Sequence, residues 1–226
     1  MNKILIIAAH PDDELLGVGA TVCRWIEEGA MAKSLILATG LLSRDQQQGS
    51  TYSPLESLRS DAQAANKYLG IGEIKFLDFP DNAMDRLPLL EVVKAVEKEI
   101  ASYKPTIIMT HFSHDLNIDH RITFQAVMTS CRPQNGTDHP DIYSFFIPSS
   151  TDWLEPQTQP SFSPNVYVDV KTTIQKKIKA LSHYASEMKP YPHSRSLGSV
   201  INHAQYWGNR VGLQYAEPLI LIRKVQ

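Results

Sequence analysis

The chain has 226 residues, of which 42% are apolar and 20% charged, with a formal net charge of -2 and a pI near 6.4. That balance excludes a disordered polyelectrolyte, and it provides no basic face for nucleic acid or an anionic membrane surface. Cys23 and Cys131 are too few for a disulfide framework or a thiolate metal site, and Cys23 sits among apolar neighbours as a packing residue.

Ile4–Ala9 is a continuous aliphatic run, as expected of a strand buried on both faces. It is too short for a signal-peptide core or a membrane span, so a cytoplasmic protein is expected. Leu15 to Glu28 reads as a helix ending near Gly29, and Lys33–Ala38 as the second strand. A polar loop follows from Leu41 to Tyr52, with Gln46–Gln48 at its tip. Ser53-Pro54 supplies a cap and first turn for a helix that runs to Leu69 and closes at Gly70. Ile74–Phe79 is strand three, Leu87 to Ser102 has helical spacing, and Pro105 precedes strand four at Thr106–Thr110. Asp119 to Cys131 is helical in pattern, Ile142–Ile147 and Val166–Val170 are strands, and Thr172–Glu187 reads as a helix. A helix at Ser196–Tyr206 and a strand at Leu219–Arg223 close the chain.

Strand–helix alternation from the first residues implies parallel pairing, because parallel strands need crossovers. The expected class is α/β, a doubly wound sheet flanked by helices. No internal repeat or linker is visible. The Pro/Ser/Thr-rich stretch Pro148–Pro164 reads as a surface loop within one domain spanning 1–226.

Open α/β sheets bind ligands at the carboxyl ends of their strands. Two such ends carry metal-ligand chemistry here. Strand one runs into His10-Pro11-Asp12-Asp13-Glu14, and strand four into the stretch from His111 to His120. Five polar or proline residues directly after a buried strand are a poor packing solution, and Pro11 restricts the turn. An imidazole and a carboxylate three residues apart can reach one ion. A third ligand from the facing strand end leaves a position for water, as in catalytic zinc sites. Asp12 adjoins such a ligand and is a candidate general base. The competing reading is that Asp12 to Glu14 cap the first helix, whose N-terminus favours acidic side chains.

His10-Pro11-Asp12-Asp13-Glu14 after a first strand resembles the signature of the PIG-L/LmbE-like N-acetylglucosaminyl deacetylases. Gly17-Val18-Gly19, the helix from Arg59 to Gly70, Asp115 to Arg121, and Gly208 to Arg223 with Tyr215-Ala216-Glu217 resemble its later segments in the same order. The resemblance implies a Rossmann-like, mainly parallel sheet and hydrolysis of an N-acetylated sugar's acetamide. It also implies zinc held by His10, Asp13 and His120, while the donor set itself, two histidines and one carboxylate, leaves iron open. Asp12 is then the general base, and Asp119 supports His120 or another partner from behind. Arg59 contacts the substrate, and Asp81 and His193 are further substrate-contact candidates.

Several family members carry a second histidine where this chain has Asn117. An amide can donate to an oxyanion but cannot deliver a proton. The acid is therefore Asp12 after it takes up a proton, or another residue such as His114 or His193. Rival readings keep the metal but act on another acylamide or a thiol conjugate, or make the protein a non-catalytic sugar or nucleotide binder. A small-molecule substrate is expected, without nucleic acid or membrane partners; a homo-oligomer is open.

Overall fold

The computed structural model describes residues 1–40, 54–133 and 139–225. The polar loop from Leu41 to Tyr52 and the Ser53 cap lie outside the described residues. The strands are β1 (Lys3–Ala8), β2 (Met31–Ala38), β3 (Glu73–Phe79), β4 (Ile107–Thr110), β5 (Asp141–Phe145), β6 (Val166–Asp169) and β7 (Ala216–Arg223). The α-helices among the described residues are α1 (Asp13–Glu27), α2 (Pro54–Tyr68), α3 (Leu89–Tyr103), α4 (Ile118–Ser130), α5 (Ile174–Leu181) and α6 (Leu197–Asn209).

The strands form one sheet in the order β3-β2-β1-β4-β5-β7-β6. Every pairing from β3 through β5 is parallel, while β7 runs antiparallel to both β5 and β6. The sheet is therefore α/β and mainly parallel, as expected. Order reverses between β1 and β4, which opens a crevice at their carboxyl ends.

The aliphatic run of β1 is buried on both faces because helices cover both. Ile4, Ile6 and Ala8 pack with residues of α1, α2 and α5, whereas Leu5 and Ile7 pack with residues of α3 and α4. This alternation follows from the two-residue side-chain period of a strand. Each such side chain contributes roughly 1.5–3 kcal/mol when fully buried. A methyl group at Gly17 would lie 2.5 Å from Phe145 Cδ2, so glycine lets α1 sit directly on β5.

A buried ion pair ties the end of the chain to α1. Glu217 of β7 accepts hydrogen bonds from Ala20 N at 3.2 Å and Thr21 N at 2.6 Å. Lys177 of α5 donates to Glu217 Oε1 at 2.5 Å and to the Leu16 carbonyl at 2.7 Å.

Two expectations change. The helix expected to reach Glu187 ends at Leu181, and turns follow. They bury Tyr184 completely, with its hydroxyl donating to Glu14, so a long-range contact overrides local helical spacing. The stretch from Pro148 is not wholly surface loop either: Ser150 and Thr151 are buried and both donate to Asp115.

Candidate metal centre

The chain leaves β1 through His10 and Pro11 and enters α1 at Asp13, with Asp12 at a φ of 110°. A non-glycine residue in that region costs on the order of 1–3 kcal/mol and persists only where its surroundings enforce it. Glu14 does so here. Its Oε2 accepts the Asp12 N–H at 3.0 Å, while Oε1 accepts from Asn66 Nδ2 at 2.7 Å and from the Tyr184 hydroxyl. Asp12 occupies the N-cap position of α1, yet its side chain makes no capping hydrogen bond. The strained turn instead frees its carboxylate, whose Oδ2 meets Arg195 Nη1 at 3.1 Å.

His10, Asp13 and His120 converge between β1 and the start of α4. Asp13 Oδ2 lies 3.2 Å from both His10 Nδ1 and His120 Nε2. Neighbouring donors of a single ion held at roughly 2.0–2.2 Å stand about this far apart. His120 Nε2 and Asp13 Oδ1 are buried and form no hydrogen bond with the described residues. The residues present thus fit a divalent cation, with two imidazoles and one carboxylate as donors.

Each imidazole is braced from its far side. His10 Nε2 lies 3.0 Å from Asp119 Oδ2 and 3.1 Å from Asp81 Oδ1. Asp119 is itself held by backbone N–H groups, from Asn82 at 2.7 Å and Met84 at 3.1 Å. His120 Nδ1 lies 3.1 Å from Asp115 Oδ1, and Asp115 also accepts from Ser150, Thr151 and Asn117 N. Such partners fix the tautomer and ring plane of a ligand imidazole. Asp119 was expected to support His120 or another partner. It stands behind His10, and Asp115 takes the place behind His120. His10, Asp81 and Asp119 also form a compact buried group. The backbone donors on Asp119 leave that group as a brace for the His10 ring.

The charges agree with this geometry. Asp12, Asp13, Glu14, Asp81, Asp115 and Asp119 are all buried, which is costly without cations nearby. Burial would raise Asp13, but His120 and His10 outweigh it and hold the carboxyl well below its usual range. Burial works against charge on His120 too, yet Asp13 and Asp115 lift it to about 9. Burial raises Asp12 to about 7, against the pull of Arg195. Beneath the centre, the neutral ring of His111 accepts from Ala9 N at 2.8 Å and stacks on His120 at 3.9 Å.

The other expected site residues lie at varying removes. Asn117 caps α4: its Oδ1 accepts from Asp119 N at 2.8 Å, and Nδ2 donates to Asn82 Oδ1 at 3.0 Å. Asp81 faces His10. His193 Nδ1 accepts from the backbone N–H of Arg195 at 3.0 Å, one residue contact from Asp12. Arg59 on α2 pairs with Asp78 of β3 and lies over the Phe76 ring at 5.2 Å. Sequence reasoning did not single out Asp115, although its place at the end of strand four was a usable signal. Arg195 belongs to the polar His193-Ser194-Arg195 loop that the sequence marks as able to meet substrate, but no local signal pairs it with Asp12, 183 residues away.

Residues 5–131, which contain both ligand-bearing strand ends, match the family model PIG-L, described as GlcNAc-PI de-N-acetylase. The chain belongs to the PIG-L family. Among its relatives is the uncharacterized deacetylase YaiS of Escherichia coli K12, 30% identical over 74% of this chain and 82% of that one. Another is the diacetylchitobiose deacetylase of Thermococcus kodakarensis, 24% identical over 96% of this chain and 82% of that one. Among solved structures, GalB, the 4-carboxy-2-hydroxymuconate hydratase of Pseudomonas putida KT2440, superposes with a TM-score of 0.81. It is 18% identical, with 100% of this chain and 98% of that one covered. A hydratase on the same fold means that the reaction of a PIG-L-like protein must be argued from its site.

Proposed function

We propose that this PIG-L protein is a zinc-dependent de-N-acetylase that hydrolyses the acetamide of an N-acetylglucosamine-type sugar derivative to a free amine and acetate. The observation that carries the proposal is the Asp12 carboxylate, buried beside the His10, Asp13 and His120 donors but outside the donor set. A purely structural ion has no use for such a group. The name of the Escherichia coli relative supports deacetylation, and that of the Thermococcus kodakarensis relative supports deacetylation of an N-acetylated sugar.

When bound, the ion supplies Lewis-acid polarisation of the acetamide carbonyl and of water. The protein supplies the rest. Asp12 Oδ1 is buried without a hydrogen-bond partner among the described residues and accepts the proton of the attacking water. Arg195 holds the other carboxylate oxygen, which aims Oδ1. Asn117 Nδ2 has two hydrogens; one goes to Asn82, and the second is available to the developing oxyanion. Proton return to the leaving amine falls to Asp12. His193, on the Arg195 loop, contacts sugar hydroxyls, and Asp81 serves behind His10.

The test is acetate release from free, nucleotide-linked and 1-O-substituted N-acetylglucosamine derivatives by zinc-loaded protein, with His120→Ala alongside. Release by the wild type alone supports the proposal. Failure across the panel, with metal bound, would overturn it in favour of another acylamide or a binding role. Metal analysis after anaerobic purification separates zinc from iron, since both accept two histidines and one carboxylate.

A further inference from the structure

Two large apolar side chains stand exposed beside the centre, Trp153 and Leu116, each with 51% of its surface in solvent. Both sit on loops anchored to it. Leu116 follows Asp115, the brace of His120, and its carbonyl accepts from Arg121 at 2.8 Å. Trp153 follows Ser150 and Thr151, which donate to that same Asp115. The two exposed side chains are therefore carried by segments hydrogen-bonded to each other.

Trp153 is also held from its other side. Asp152 accepts from Ser194, and Ser194 Oγ lies 3.1 Å from His203 Nε2. The indole meets the His193 ring edge-on, with centroids 5.3 Å apart and planes at 67°. His193 Nδ1 accepts the Arg195 N–H at 3.0 Å, and the Arg195 guanidinium reaches Asp12 at 3.1 Å. A continuous chain of contacts thus runs from the candidate base to the indole: Asp12, Arg195, His193, Trp153.

With Nδ1 used as an acceptor, a neutral His193 carries its proton on Nε2, free to donate outward. A fixed aromatic face beside an imidazole donor suits a pyranose ring, which has apolar C–H groups on its faces and hydroxyls around its edge. An extended alkyl chain has no use for the donor. The nearby guanidinium is already engaged by two carboxyl groups, Asp12 at 3.1 Å and Glu187 Oε2 at 4.0 Å, so it does not call for an anionic group.

We infer that Trp153, with His193, forms a subsite for a second, neutral sugar ring attached to the acetamido sugar, making this protein selective for a glycoside over a free monosaccharide. The inference rests on the proposed deacetylase site for its orientation but is tested by binding. Zinc-loaded Asp12→Asn protein is titrated with N,N'-diacetylchitobiose, N-acetylglucosamine and octyl N-acetylglucosaminide, following tryptophan emission and calorimetric heat.

The disaccharide is expected to bind about tenfold more tightly than the monosaccharide, in line with the strength of one aromatic stacking contact. It is also expected to shift the emission of Trp153, the most exposed of the three tryptophans. Adding Trp153→Ala should bring the disaccharide-to-monosaccharide preference to about one, whereas Trp153→Phe should retain most of it. Equal binding of the two sugars would overturn the inference, as would equal weakening of both by Trp153→Ala. An octyl glycoside with the same Trp153-dependent advantage would assign the surface to an alkyl chain and overturn it as well. A disaccharide preference without acetate release by the wild type would remove the deacetylase reading and leave the ring subsite standing.

Discussion

Asp115 Oδ1 lies 3.1 Å from His120 Nδ1, on the far side of the imidazole from Asp13. Asp115 is in turn held by two hydroxyls and a backbone N–H. The carboxylate therefore sets the direction in which His120 Nε2 points. Asp115→Asn should weaken zinc affinity about 10- to 100-fold, the usual effect of losing such a partner. Competition against a chromophoric chelator measures it, and unchanged affinity would remove Asp115 from this role.

Asp12→Asn should lower kcat by about 10²–10⁴, the range for loss of a general base. Zinc content, measured by mass spectrometry, should stay at the wild-type level, because Asp12 lies outside the donor set. A variant that keeps its turnover would point to a base elsewhere.

Chelation should destabilise the fold as well as stop turnover. A ligand that binds only the folded state stabilises it by about 4 kcal/mol at a thousandfold excess over Kd. Removing zinc should therefore lower Tm by several degrees, with recovery when zinc is returned. His120→Ala should show a much smaller zinc-dependent shift than wild type in the same thermal scan.

A second charge cluster contributes to acid stability. Glu99 is 2% exposed, with Lys33 Nζ 2.6 Å and Lys75 Nζ 2.7 Å from its oxygens. Burial would raise its carboxyl, but the two lysines outweigh burial and lower it. A depressed carboxylate contributes stability above its unfolded pKa of about 4.3, and that contribution is lost as pH falls through the lower folded value. Urea midpoints should fall in that acid range, and Glu99→Gln should flatten the dependence while costing about 1–3 kcal/mol at neutral pH. Identical pH profiles for variant and wild type would refute the assignment.

Gly17→Ala should cost about 1–3 kcal/mol, because its methyl group would meet the Phe145 ring at 2.5 Å. Chemical denaturation measures this directly. A neutral result would mean that α1 can move off β5 without loss.

The centre was legible where chemistry is concentrated in short runs. His10 to Glu14 stand out because polar residues interrupt the chain straight after a fully buried strand, and His120 follows the next strand of the crevice. The parallel half of the sheet was legible from alternation alone. The bracing was not, since Glu14 meets Tyr184 across 170 residues and Asp12 meets Arg195 across 183. No window of sequence contains both members of either pair. The sequence left open whether Asp119 supports His120 or another partner, and the fold brings it to His10, 109 residues away. The resemblance supplied roles for Arg59 and Asp81, and the structure adds what no local window shows: Asp78 beside Arg59 and His10 beside Asp81.

The last strand takes an interior place in the sheet, between β5 and β6. During synthesis, β6 therefore leaves the ribosome with no strand to pair with, and β5 waits with an open edge. The carboxylate that grips the middle of α1 arrives 197 residues after the backbone it binds. A chain cut before Ala216 would lose its central clasp. Two unpaired edges would be left, of the kind that recruit other chains. Truncation before β7 should therefore yield aggregates and not a trimmed, folded domain.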